Sequence, residues 1–149
     1  MKPNFSPSDV WLLMTICSLG TEGGRIPDIL VLGDRFNNAV FTYQELRRGL
    51  AKLTHTGYVV QRDQQFAAVG EAATFSSSLQ GQSIRDVWAA FYRFLGVDRS
   101  AEDDPRDSDP DWNYAQLTDP LLDAAYLEWR TASDSAFSQA LAYVAKKQS

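Results

Sequence analysis

Cysteine and histidine are almost missing from the chain, Cys17 and His55 being the only residues of their kinds. A single cysteine can form no internal disulfide, and one Cys with one His cannot assemble a zinc cluster. The longest apolar stretch, Val10 to Leu19, is interrupted by Thr15 and Ser18 and is too short for a membrane span. Lys2, Pro3, Asn4 and Ser6 do not make a secretory leader, so a cytoplasmic protein without membrane attachment is expected. There is no Gly-rich phosphate loop, no His-Glu-x-x-His and no Gly-x-Ser-x-Gly, and nothing singles out a carboxylate pair for acid or base work, which leaves little support for an enzyme and none for a cofactor. Asp107, Asp109 and Asp111 alternate like a calcium loop, but Trp112 stands where that loop needs glycine and Thr118 where it needs a bidentate glutamate. No metal is expected.

What remains is enough for a real core. The 149 residues are 44% hydrophobic and 12% aromatic, which fits one domain, or one domain with an appendage. The formal charge of −5 is unevenly spread: residues 1–96 carry nine basic and eight acidic side chains, residues 97–149 five and eleven. Between Phe41 and Arg62 the sense reverses, with Arg47, Arg48, Lys52 and Arg62 against Glu45 alone.

Local signals mark out the elements, and they predict a mainly α protein with a small β-hairpin (α+β). Ser6-Pro7-Ser8-Asp9 opens a helix running to about Leu19, whose apolar residues leave almost no polar face. Ile26 suggests a one-residue bridge to a sheet, Pro27-Asp28 starts a short second helix that Gly33 stops, and Asn37-Asn38 is a turn. Thr42-Tyr43-Gln44-Glu45 forms a capping box, with Phe41 placed to staple onto Leu46, and Gly57 ends this third helix, Thr42 to Thr56. Residues 58–62 and 65–69 read as strands around a tight Asp63-Gln64 turn. Residues 70–79 and 83–95 read as helices, 98–111 as an acidic surface connection, and a long helix starts at Thr118-Asp119-Pro120, with room for a break at 133–135. Its apolar stripe passes through Leu121, Leu122, Ala125, Tyr126 and Trp129, then Ala136, Phe137, Ala140, Leu141 and Val144.

Three helices, a hairpin and a further helix over residues 6–80 follow the layout of a winged helix-turn-helix. Leu50, Leu53, Gly57, Tyr58 and Val59 match a segment that resembles bacterial winged-helix regulators of the MarR and PadR families. Gly33, Asp34, Phe41, Thr42, Glu45 and Leu46 match a pattern found in small bacterial winged-helix proteins. The resemblance covers about half the chain and implies a winged-helix domain over 1–82. A helical extension over 83–149 follows, containing the acidic loop 97–113, and its character suits pairing of two copies. It also implies a transcription regulator whose third helix enters the major groove of double-stranded DNA.

Carried over by position, the DNA-contacting residues would be Thr42, Gln44, Arg47, Arg48, Lys52, His55 and Arg62. On a helical wheel Gln44, Arg47, Arg48 and His55 share the side opposite Leu46, Leu50 and Leu53, with Lys52 on the flank. Arginine suits guanine or phosphate and glutamine suits adenine. The wing is meagre, with Arg62 beside Asp63. Two other readings stay open: the basic residues are the solvated face of a core helix, or the domain binds protein rather than DNA. Trp88, Trp112 and Trp129, with Phe91, Tyr92, Tyr114 and Tyr126, are either core packing or the lining of an effector pocket. Cys17 reads as inert packing. The tail stripe either folds back or pairs with a second copy, its length favouring a homodimer.

Overall fold

The computed structural model describes residues 3–102 and 112–147, with side chains described as far as 134. The Asp107–Asp111 run and most of the acidic connection lie outside the described residues. The elements in order are α1 (Pro7–Ser18), α2 (Ile26–Asn37), α3 (Tyr43–His55), β1 (Val59–Arg62), β2 (Gln65–Ala68), α4 (Gly70–Ser77), α5 (Ile84–Leu95) and α6 (Asp119–Lys147). Among the described residues the fold is thus mainly helical with one two-stranded antiparallel sheet.

α1 is the axle. Every residue from Ser8 to Ile16 is buried, as the lack of a polar face predicts, and α2, α3, α4, α5 and β2 all pack on it. The hairpin pairs Val59 with Ala68 and Arg62 with Gln65 across a two-residue turn, where Asp63 takes a positive φ of 56°. The single-residue bridge falls on Gly24 and Phe66 rather than on Ile26. Ile26 instead starts α2 and is 4% exposed, because its side chain is worth more in the core than along a sheet edge. Gly24 gives β2 an N–H and a carbonyl, at 3.0 and 2.8 Å from Phe66 O and N.

α2 passes through Gly33 and ends at Asn38, whose φ of 50° is the left-handed cap. Gly33 does not stop the helix. It makes room for Phe41, since a Cβ there would lie 2.5 Å from Phe41 Cε2. The Phe41 ring stacks on Trp11 at 3.6 Å between centroids, and Trp11 Nε1 donates to Gly33 O at 2.9 Å. α5 presents Phe91 and Leu95 to the same core. α6 is continuous through 133–135, and its first turns bury Leu122 and Ala125 in that core, against α2 of the same chain. Among the described residues no helix is long and apolar enough to cross a membrane.

In an open helix, Gly33→Ala would gain about 1 kcal/mol of helix propensity. Here overpacking against Phe41 should outweigh it, lowering the urea-unfolding free energy by about 1–3 kcal/mol.

Candidate nucleic-acid interface and its covering segment

α3 begins as its sequence dictates: Glu45 N–H donates to Thr42 Oγ1 at 3.1 Å, and Thr42 N–H to Glu45 Oε1 at 2.9 Å. The two ends of this box fix which way α3 turns its faces, and the cations do not all face outward. Arg48 is 6% exposed and Lys52 2%. Lys52 Nζ donates to Asp9 Oδ2 at 3.1 Å, and Arg48 Nη2 donates to Ser8 Oγ at 3.3 Å. Asp9, itself fully buried, also receives Ser6 N–H at 2.8 Å on the same oxygen. The wheel placed Arg48 outward and Lys52 on the flank; both turn in because α1 packs closely against that side of α3. Gly49 brings α1 so near that a Cβ would lie 2.6 Å from Leu12 Cδ2, and that approach closes over the residues beside it.

Arg47 stays on the outer side but is engaged. Its Nε donates to Leu117 O at 2.7 Å and its Nη2 to Asp119 Oδ1 at 2.6 Å, while Tyr114 N–H donates to Arg47 O at 3.0 Å. The guanidinium also lies 5.8 Å from the Tyr43 ring centroid. Tyr43 donates its hydroxyl to Asp123, Tyr126 donates to Phe41 O, and Tyr114 to Gln61 Oε1. His55 is exposed, with its ring edge-on to Trp112 at 5.2 Å. Residues 112–126 therefore run as a strap across the outer face of α3 and onto the hairpin. Arg25 and Glu128 pin its far side with two hydrogen bonds of 2.9 and 3.1 Å.

Of the seven expected contact residues, Thr42, Gln44, His55 and Arg62 are exposed, Arg47 is partly covered, and Arg48 and Lys52 are buried. The exposed four do not form a continuous cationic ridge. Trp88, Trp129, Tyr92, Tyr114 and Tyr126 are half-buried and pack against the core. Sequence reasoning missed the strap's partners. Their signal was a pair of matching i, i+4 spacings: Tyr43 and Arg47 on α3 meet Asp123 and Asp119 on α6, which makes the two helices antiparallel there.

The strap's titratable groups are perturbed as these contacts require. Hydrogen bonding from Arg25 holds Glu128 below the usual carboxylate range, the bond to Asp123 lifts the Tyr43 phenol, and burial lifts Tyr126 further still. Among the described residues, no cluster of three or more His, Cys, Asp or Glu could hold a metal.

No protein-family model, curated protein or solved structure matches the chain.

Two outcomes follow from this geometry. Lys52→Ala strands a fully buried carboxylate and should cost about 3–5 kcal/mol in chemical denaturation, whereas exposed Arg62→Ala should stay within about 0.5 kcal/mol. Burial against α4 pushes the Cys17 thiol from 9.0 up to about 12. Because the unfolded chain loses that proton first, the stability Cys17 carries is complete below pH 9 and fades as pH rises towards 12. Over that window the native chain should lose stability faster than Cys17→Ala, by at most about 1.4 kcal/mol per pH unit.

Proposed function

We propose that the chain is a winged-helix module that binds protein rather than DNA, with α3 closed by its own tail. The observation that carries the reading is where the cations of α3 are spent: Lys52 on Asp9, Arg48 on Ser8, Arg47 on Leu117 O and Asp119. A helix that reads the major groove needs such groups aimed at phosphate and base edges. The acidic balance of residues 97–149 adds repulsion towards a polyanion. The winged-helix assignment itself rests on the order of three helices, hairpin and helix and on the single-residue bridge that puts Gly24 beside β2. Pairing of two copies belongs to the same reading, and its support is the apolar sequence stripe from Ala136 to Val144 in the later turns of α6.

A second reading, DNA binding after release of the strap, is favoured by the exposure of the strap's ion pairs. Asp119 is 74% exposed, and Arg25 and Glu128 are 43% and 52% exposed. Pairs of that kind are screened by solvent and hold weakly.

A salt titration with random duplex DNA separates the two readings. For the intact chain the expected result is weak retention, with a log–log slope shallower than about −2; a steeper slope means several phosphate contacts and overturns the proposal. If the same titration steepens for Asp119→Ala/Asp123→Ala, the released-strap reading replaces it.

A further inference from the structure

Between the hairpin, the start of α2 and the first turns of α6 lies a cavity of about 270 Å³. Its floor is apolar, from Ile26, Phe66 and Leu117, and one wall is Leu121, which is 43% exposed although large and hydrophobic. Its size falls just below the ~300–1,000 Å³ common for ligand sites, so it takes one ring with a short substituent.

The charges around the mouth cancel. Arg25 and Glu128 are locked to each other, and Asp28 already answers the positive end of α2 by accepting Arg25 N–H at 2.9 Å. An anion would face Glu128, and a cation would have to compete for Glu128 with a two-bond guanidinium. What the mouth does offer is amide. Gln61 is committed to Asp63 O and to the Tyr114 hydroxyl, but Gln64 and Gln116 line the cavity without a hydrogen bond to any described residue. Each carries donors and an acceptor, the complement of another amide.

The geometry points to a binding site for a small neutral molecule in which a single ring carries a carboxamide, the ring covering Leu121 and the amide meeting Gln64 and Gln116. The occupant touches α2, the hairpin and α6 together, so it ties the strap to the body. This inference is independent of whether α3 meets DNA or protein.

Benzamide is the probe, with benzoate and benzylamine as its charged counterparts, followed by two-dimensional ¹H–¹⁵N spectra of the intact chain. Millimolar benzamide should shift the side-chain amides of Gln64 and Gln116 and the backbone signals of Phe66 and Leu117, with both charged probes at least ten-fold weaker. No shift with benzamide, or equal binding of all three, overturns the inference. Ala124 lines the cavity and is exposed, so Ala124→Trp should fill it and abolish the shifts. Gln64→Leu, on the exposed hairpin turn, should weaken binding at least five-fold without disturbing the core. Benzamide binding that survives unchanged in a folded Ala124→Trp, or in Gln64→Leu, places the probe elsewhere and sinks the assignment.

Discussion

The architecture depends on one buried ion pair. Lys52 and Asp9 meet at 3.1 Å with side chains 3% and 0% exposed, between the first turn of α1 and the last turns of α3. Such a pair contributes little net stability, because taking both charges out of water costs about what their attraction returns. Its effect is selective. Any docking of α1 on α3 that separates the two leaves a lone charge in an apolar interior, and α1 is otherwise so uniformly apolar that hydrophobic contact alone would allow several rotations. Gly49 and the pair act together: the glycine lets the helices approach, and the charges decide at which register they do so.

The same constraint sets the surface. Once Lys52 and Arg48 serve α1, the outer face of α3 keeps Arg47 as its only arginine, and the strap takes that. The strap's hold is mainly apolar. Leu117 and Leu122 are 3% and 0% exposed, and exposing either would cost about 1.5–3 kcal/mol, more than any of the exposed ion pairs returns. The polar contacts instead fix the strap's position, since Tyr43 with Asp123 and Arg47 with Asp119 match only in one antiparallel alignment of α6 on α3.

Most elements were legible in the sequence because their signals are local: the Thr42–Glu45 capping box, the two residues between strands, the glycine at 57. What was not legible depended on contacts between distant residues. Gly33 has the sequence signature of a helix stop, yet its role is set by a ring eight residues on and by Trp11 behind it. The bridge fell two residues before Ile26 because the backbone, not the side chain, had to meet Phe66. The wheel for α3 drew the buried side from its leucines alone, whereas the close approach of α1 at Gly49 buries Arg48 and Lys52 as well, and Asp9 showed only its local role at a helix start. Its partner lies 43 residues away. The cavity was invisible for the same reason, its walls coming from three separate stretches of chain.

The position of that cavity bears on how α3 could be uncovered. Leu117 forms part of its floor and also gives its carbonyl to Arg47, so one residue belongs to both the cavity and the covered face. Moving the strap off α3 draws Leu117 and Leu121 away from Phe66 and Ile26 and dismantles the cavity. A molecule that needs those walls binds the closed arrangement and not the open one, and it shifts the equilibrium only by that difference in affinity. At a hundred times its dissociation constant it would add about 2.7 kcal/mol to closure, roughly the worth of one buried leucine. The strap is thus held by terms of a size that a small ligand can match, and control of the α3 face by an occupant of the cavity requires no further moving part.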